Sequence, residues 1–340
     1  MKLDSVLKAL KVCIPKNYPV LLVGPPGVGK TEIIKKAVSA LGYDLIVSHP
    51  VVSNPTDFKG FGYPDESKEF AKFLPFGDFH KVLTSKKPLV WFFDDLGQAP
   101  EAVKATVMQL FLERAIGDKK LPDHVCLVAA SNGKSHKSGV SNFMEALKSR
   151  FHSIIEVTPD AEQWLDWGFE NDLHPFVLSY IRMKPESLIG SFSSLDMDNS
   201  ANPRTWKNCS DLLLAYEEAG LEIESEVIKG SIGSAECSEF YAFMKLFDSL
   251  VNIEDILLSP ETAEIPSEVS ALMLTLRALA TRANKSNFGR ILKYGERIAE
   301  SGQKEVFVFL VKSCVKQCPD LRETAKYVEF LSSGYNQFFV

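Results

Sequence analysis

The sequence lacks the features that mark membrane proteins and strongly basic proteins. No apolar run approaches the roughly 20 residues that are needed to cross a bilayer. The first residues have no long apolar core and no small-residue cleavage site, so we predict no signal peptide. With 38 Lys and Arg against 44 Asp and Glu, the net charge is -6. This acidic balance argues against a general binder of membranes or nucleic acids, which are polyanionic.

Cysteine and histidine are too scattered to indicate a metal site. Only Cys314 and Cys318 lie one helical turn apart, and two ligands without a second pair make a poor zinc site. The 6 histidines show no metal-ligand spacing. We therefore expect reduced, mostly buried thiols in a cytoplasmic protein.

What is present is an ordinary globular composition with two contrasting regions. The chain has 340 residues, of which 45% are hydrophobic and 24% are charged. Before Pro159, apolar runs alternate with helical patterns, which predicts a parallel sheet with helices on both faces. Beyond Pro159, helical patterns dominate. We predict an αβα nucleotide-binding core over 1–158, a helical lid over 159–250 and a helical C-terminal extension over 251–340. The predicted strands are Val20–Val23, Leu45–Ser48, Leu89–Phe93, Val125–Ala130 and Ile154–Val157.

A glycine-rich segment after the first strand carries the most specific chemical pattern. It fits G-x-x-x-x-G-K-[ST], with an apolar strand before it and a helix after it. Such a P-loop points backbone N–H groups at phosphate oxygens, and the helix N-terminus adds positive potential. Lys30 is expected to reach the β- and γ-phosphates of ATP, and Thr31 to bind Mg2+. The predicted nucleotide-binding residues are Gly24, Pro25, Pro26, Gly27, Val28, Gly29, Lys30 and Thr31.

A second pattern is an apolar strand that ends in two carboxylates. Leu89–Phe93 is followed by Asp94 and Asp95, as in a Walker B motif. Asp94 is placed to hold Mg2+ directly or through water, and Asp95 is the candidate base that polarises the attacking water. Alone, the pattern also fits a buried strand with an acidic cap. The P-loop upstream favours the catalytic interpretation.

Together these motifs resemble the AAA+ superfamily of ring ATPases, and further elements are similar to its MoxR branch. Val128-Ala129-Ala130-Ser131-Asn132 resembles the sensor 1 strand, which implies that Asn132 helps to hold the lytic water. Ala146-Leu147-Lys148-Ser149-Arg150-Phe151 resembles the element whose arginine, here Arg150, reaches into a neighbouring subunit. Asn202-Pro203-Arg204-Thr205 resembles sensor 2 and implies that Arg204 contacts the γ-phosphate. Asp57-Phe58-Lys59-Gly60 and Leu112-Glu113-Arg114 also occur where MoxR-like chains carry similar segments.

The resemblance implies a fold and a function. The fold is a P-loop parallel-sheet AAA+ core followed by an all-helical lid and a helical C-terminal extension. The function is ATP hydrolysis in a homo-oligomeric ring, typically a hexamer, that remodels a protein client, often with a von Willebrand A-type partner. A nucleotide-gated scaffold with weak hydrolysis is the alternative. A nucleic-acid motor is disfavoured by the acidic balance and by the absence of a recognisable DNA-binding module.

One residue departs from the family pattern. AAA+ proteins usually carry Glu as the second Walker B acid, where this chain has Asp95. Its carboxylate sits roughly 1.5 Å further back, and misplacements of that size can reduce a rate by about a hundredfold. The site is then slow, or the strand lies closer to the nucleotide, or Asp95 works through a second water.

Several assignments keep a structural alternative. Arg150 and Arg114 also fit solvated surface positions, and Arg204 also fits an ion pair with a nearby acid. The segment Gly133–Ser141 is expected to be a loop that could contact a client. The phenylalanine-rich residues 52–80 fit either a helix insert that lines the pore of a ring or buried packing.

Overall fold

The computed structural model describes residues 1–67, 69–116, 119–133, 149–190, 198–250, 253–267 and 269–333. Most of Gly133–Ser141, and Ala146, Leu147 and Lys148, lie outside these ranges. The chain divides into two compact units. One consists of Met1–Gln163 with Asn202–Arg204, and the other of Trp164–Ala201 with Thr205–Val340.

The first unit is built on a five-stranded parallel sheet in the order β2-β5-β8-β1-β9. Every predicted strand is present, with ends that shift by one residue at most. β5 and β8 are buried along their whole length, because helices cover both faces of the sheet. The strands are β1 (Val20–Val23), β2 (Asp44–Ser48), β5 (Leu89–Phe93), β8 (Val125–Ser131) and β9 (Ser153–Glu156).

Alternate side chains of the central strand β5 enter separate cores on the two faces of the sheet. Val90 and Phe92 pack in the core that contains α1 and α2, whereas Trp91 and Phe93 pack in the core that contains α4 and α5. The predicted α/β core followed by a helical region is therefore confirmed. The helices of this unit are α1 (Leu3–Cys13), α2 (Lys30–Leu41), α3 (Pro55–Lys59), α4 (Gly77–Thr84) and α5 (Glu101–Glu113).

A two-stranded hairpin stands between α3 and α4, so of the two alternatives for residues 52–80 the helix insert is wrong. Its strands β3 (Phe61–Pro64) and β4 (Ala71–Leu74) are antiparallel, and Phe61 pairs with Leu74. Gly60, at φ +89°, ends α3, and a Cβ there would lie 2.4 Å from the Leu74 carbonyl oxygen, so the base of the hairpin requires glycine. A second small antiparallel pair joins β6 (Ala115–Ile116) and β7 (Lys119–Lys120).

The phenylalanines of this region divide between core and surface. Phe58 and Phe79 are buried against the sheet. Phe61, Phe70 and Phe73 keep 59%, 55% and 49% of their surface exposed. The hairpin, residues 61–74, therefore presents apolar side chains to solvent.

The second unit is helical throughout its described part. Leu276, Leu279, Ile291, Tyr294 and Leu310 belong to one core cluster of this unit. The division of this region at residue 250 stays a prediction. Among the described residues, every helix is too short or too polar to traverse a bilayer. Beyond the sheet the helices are α6 (Ala161–Glu170), α7 (Pro175–Met183), α8 (Pro203–Glu218), α9 (Ser225–Ile232), α10 (Ser234–Leu250), α11 (Ile253–Leu258), α12 (Val269–Thr281), α13 (Phe288–Glu300), α14 (Lys304–Gln317) and α15 (Ala325–Ser332).

A buried polar cluster ties together α7, α8 and α12 of the second unit. His174, 1% exposed, accepts the Phe176 N–H at Nδ1, so its proton is on Nε2, 2.8 Å from Glu217 Oε1. Arg277 pairs with the other oxygen of Glu217. Burial lowers the pKa of His174. Burial opposes ionisation of Glu217, but the hydrogen bond from His174 and the charge of Arg277 outweigh it and hold the pKa of Glu217 below its ordinary value.

Candidate functional site

The carboxyl ends of three neighbouring strands bring the two sequence motifs together. β1 leads into the P-loop at Gly24, β5 leads into Asp94, and β8 leads into Asn132. Because parallel strands end at the same edge of a sheet, these segments meet there. The Gly24 N–H also donates to the Ser131 carbonyl oxygen at 3.3 Å, which joins the P-loop to β8.

The P-loop needs glycine for both backbone conformation and space. Gly27 and Gly29 have φ of +75° and +95°. A Cβ at Gly27 would lie 2.2 Å from Asn202 Oδ1, so residues 202–204 rest directly against the loop. Val28 is buried in the core beside α1 and α2, while Pro25 and Pro26 are half-buried.

Lys30 is 7% exposed and turns its ammonium group back onto the loop. It donates to the carbonyl oxygens of Gly24 and Pro25 at 2.9 and 2.8 Å, and to Asn132 Oδ1 at 2.9 Å. Burial lowers the pKa of Lys30 to about 8. The charges of Asp95 and Asp94 oppose this shift, and Arg204 adds to it. The ammonium group is therefore still mostly charged at neutral pH.

Thr31 and Asp94 form the direct contact between the P-loop helix and the Walker B strand. The Thr31 hydroxyl donates to Asp94 Oδ2 at 2.8 Å. The other oxygen of Asp94 accepts the backbone N–H of Asp95 at 3.1 Å. The carboxylate is therefore fixed at both oxygens.

Asp95 lies beside Asp94 in a left-handed backbone conformation, with φ +54°. Burial raises the pKa of Asp95, and the neighbouring charge of Asp94 raises it further. Lys30, Arg204 and His49 act in the opposite direction. His49 belongs to no sequence motif. Its position directly after β2, next to β5, is the signal that would have placed it near Asp95.

Arg204 is near the P-loop, as its electrostatic effect on Lys30 and Asp95 indicates. Its Cβ would be 3.3 Å from a Cβ at Gly27, and its backbone N–H donates to Asn202 Oδ1 at 3.0 Å. Both residues belong to the first unit. Residues 202–204 thus form one wall of the site.

Two arginines considered from sequence lie elsewhere. Arg150 precedes β9, which is parallel to β1. It therefore lies at the amino ends of the strands, whereas the P-loop lies at their carboxyl ends. It donates to Ser149 Oγ, and its Nε is buried without a partner among the described residues. Arg114 closes α5 and donates to the carbonyl oxygens of Pro122 and Val125 at 3.1 and 2.8 Å, a structural role.

The oxygen donors at this edge fit a magnesium ion. Mg2+ takes one or two protein ligands and completes its shell with waters and substrate phosphates. Thr31 Oγ1 and Asp94 Oδ2 offer two adjacent oxygens beside the phosphate-binding loop. Among the described residues, no group of three or more His, Cys, Asp and Glu forms a separate metal site.

Residues 20–159 match the model of the ATPase family associated with various cellular activities (AAA). The match begins at the first residue of β1 and extends just past β9. This region, which is less than half of the chain, resembles an AAA ATPase domain. The domain contains the P-loop, both Walker B acids, Asn132 and Arg150, whereas Arg204 lies beyond it.

Two proteins show distant sequence similarity. Midasin from Giardia intestinalis is 23% identical over 220 residues, which are 61% of this chain and 4% of midasin. ATPase family gene 2 protein homolog B from Homo sapiens is 28% identical over 143 residues, which are 39% of this chain and 17% of that protein. The chain thus spans a small part of each relative.

Solved structures show weak likeness. The RuvB Holliday junction branch migration motor of Thermotoga maritima is 16% identical, with a TM-score of 0.42 over 82% of this chain and 80% of that one. NtrX from Brucella abortus is 14% identical, with a TM-score of 0.42 over 82% of this chain and 68% of that one. Likeness at this level says nothing about what the chain binds or acts on.

Proposed function

We propose that this protein is an ATP-hydrolysing AAA+ ATPase of the MoxR-like branch that remodels a protein client as a homo-oligomeric ring. Two hydrogen bonds at the carboxyl ends of the strands carry the proposal. They join Thr31 to Asp94 and Lys30 to Asn132. They join the P-loop to the ends of both strands that carry the other predicted catalytic groups.

When ATP binds, Lys30 exchanges some of its hydrogen-bond partners. An ammonium group has three N–H donors, and here all three meet protein oxygens. To hold the β- and γ-phosphates, Lys30 gives up at least one of these bonds. Release of Asn132 Oδ1 frees that side chain to orient a water molecule beside the γ-phosphate. The backbone N–H groups of residues 27–30 and the α2 N-terminus hold the remaining phosphate charge.

Asp95 acts as the base that takes a proton from the attacking water. Its pKa is raised by burial and by the charge of Asp94, which strengthens it as a base. Asn132 Nδ2, 3.5 Å from Asp95 Oδ1, is placed to share that water. Thr31 and Asp94 would hold Mg2+, which would neutralise phosphate charge.

The arginines divide between the protein's own site and a neighbour's. Arg204 contacts the γ-phosphate in its own chain, as its place beside Gly27 supports. Arg150 is at the opposite edge of the sheet, so it serves the site of an adjacent subunit in the ring, typically a hexamer. We further propose a von Willebrand A-type partner. A cytoplasmic location is in keeping with the free thiols of the six cysteines.

A nucleotide-gated scaffold with little turnover is the second candidate. The shorter side chain of Asp95 favours it, because the carboxylate reaches less far than that of Glu. The chain would then bind ATP, hold one ring shape and release it slowly. A nucleic-acid motor is disfavoured by the net charge of -6.

The test is ATP turnover by the assembled protein with its client, compared with Lys30→Ala. The ATPase proposal predicts Mg2+-dependent turnover that falls to background in the variant. A matched control is Lys36→Ala, which removes an exposed lysine of the same helix and should leave turnover unchanged. Wild-type turnover no faster than that of Lys30→Ala, with ATP still bound in calorimetry, overturns the ATPase and leaves the scaffold.

A further inference from the structure

We propose that Asp78 is a positioning residue for the Walker B carboxylate, and that it acts through the hydroxyl and backbone of Ser48. The inference rests on the proposed function, because it concerns how Asp94 is held for Mg2+ and ATP. Neither Ser48 nor Asp78 belongs to any motif in the sequence. They are joined to each other and to the Walker B strand by a continuous set of hydrogen bonds.

Ser48 is the central member of this set. It is the last residue of β2 and 5% exposed. Its hydroxyl accepts a hydrogen bond from Trp91 Nε1 at 2.9 Å and donates one to Asp78 Oδ2 at 2.9 Å. Its carbonyl oxygen accepts the backbone N–H of Asp94 at 3.0 Å. One residue therefore contacts the Walker B strand from both its side chain and its backbone.

Asp78 fixes the direction of the Ser48 hydroxyl. It lies in the first turn of α4, where a negative charge is favoured, and its other oxygen pairs with Lys81 at 3.1 Å. An ionised carboxylate only accepts hydrogen bonds, so Ser48 must donate to it. The serine oxygen is then left to accept from Trp91, whose indole only donates. The three groups admit a single hydrogen-bond arrangement.

Without the Asp78 carboxylate, the direction of the Ser48 hydroxyl would no longer be fixed. The buried Ser48 hydroxyl would lack its acceptor, and a buried polar group without a partner is costly. The hydroxyl can recover a partner if the serine side chain rotates. That rotation also breaks the hydrogen bond from Trp91 and disturbs the end of β2. The Asp94 backbone is bonded to that end, so the Asp94 carboxylate shifts relative to Thr31.

The same helix start is attached to the hairpin. Phe76, directly before α4, stacks on Phe61 of β3 with ring centroids 4.6 Å apart. These contacts therefore connect the hairpin, through Phe76 and α4, to the end of β2 that is hydrogen-bonded to Asp94.

The experiment measures the Mg2+ affinity of the ATP-loaded protein by calorimetry, alongside ATP affinity in EDTA and kcat. Asp78→Ala and Ser48→Ala are each expected to weaken Mg2+ binding and kcat by about tenfold. ATP affinity in EDTA should stay unchanged. Asp78→Asn keeps an acceptor for Ser48 and should restore near wild-type values. Lys81→Ala, which removes only the ion pair of Asp78, is the matched control and should behave as wild type.

The double variant Asp78→Ala/Ser48→Ala decides whether the two residues act together. A shared role predicts a double variant no worse than either single one, whereas multiplied losses overturn the proposal. Unchanged Mg2+ affinity with a lower melting temperature also overturns it, since Asp78 would then only stabilise the first turn of α4. If wild-type protein binds Mg-ATP but does not hydrolyse it, the proposed function fails while the Mg2+ affinities still test this inference.

Discussion

Asp95 Oδ1 and Asn132 Nδ2 lie 3.5 Å apart at the carboxyl ends of the neighbouring strands β5 and β8. This separation is at the outer limit of a hydrogen bond. The two side chains therefore face each other, and the hydrogen bond between them is weak. A water molecule between the γ-phosphate and this pair would find an acceptor on Asp95 and a donor on Asn132.

The length of the Asp95 side chain is open to a direct test. Asp95→Glu advances the carboxylate by roughly 1.5 Å, and we expect turnover to rise, by up to about a hundredfold if reach limits the rate. Steady-state phosphate release at saturating Mg-ATP measures it, with Asp95→Asn as the inactive control. A fall in turnover for Asp95→Glu would mean that aspartate already fits the distance to the nucleotide.

Gly27 is expected to be essential for nucleotide binding. Gly27→Ala adds a Cβ that would lie 2.2 Å from Asn202 Oδ1, in a backbone with φ +75°. Gly42→Ala is the matched control, since Gly42 has φ +67° and nothing within 4 Å of a Cβ. The left-handed backbone alone should cost each variant about 1 kcal/mol of stability. Only Gly27→Ala should lose ATP affinity in calorimetry, and equal affinities would contradict the close approach of residues 202–204.

Arg150 is expected to act on a neighbouring subunit. Mixing Arg150→Ala protein into wild-type protein at rising fractions should depress ATP turnover more steeply than the fraction itself, because each altered subunit also disables its neighbour. Dilution with Lys229→Ala, an exposed site on α9, gives the baseline. A linear loss of turnover would remove the assignment in trans.

The helical unit should lose stability in mild acid. The folded pKa of His174 is below its ordinary 6.5, so the unfolded chain binds the proton more tightly and stability falls as pH drops through 6.5. The lowered pKa of Glu217 extends this loss below its ordinary 4.5. His174→Gln should flatten the upper part of this dependence in thermal melts followed by circular dichroism. A profile unchanged from that of the wild type would exclude His174 as its source.

The sheet and the P-loop could be predicted from sequence because their signals are local. A strand buried on both faces is a continuous apolar run, and Leu89–Phe93 is one. Helix ends also have local signals in the sequence, since Pro175 begins α7 and Gly233 follows α9.

The hairpin and the Asp78 contact could not be predicted, for different reasons. The strands of the hairpin are four residues long and exposed, so they lack the alternation that identifies a half-buried strand. Ser48 and Asp78 are 30 residues apart and meet only because α4 packs beside β2. The direct contact of Asn202 with Gly27 arises in the same way, from segments distant in sequence.

The exposed hairpin also has a consequence for the purified protein. Among the residues that the structure describes, its two strands pair only with each other, which leaves outward-facing N–H and C=O groups beside Phe61, Tyr63, Phe73 and Leu74. Unprotected strand edges with apolar side chains invite the same edges of other copies. Concentrated samples without a bound protein are therefore expected to aggregate slowly, and salt should not prevent the aggregation. A charged substitution at Tyr63 should keep the protein in solution.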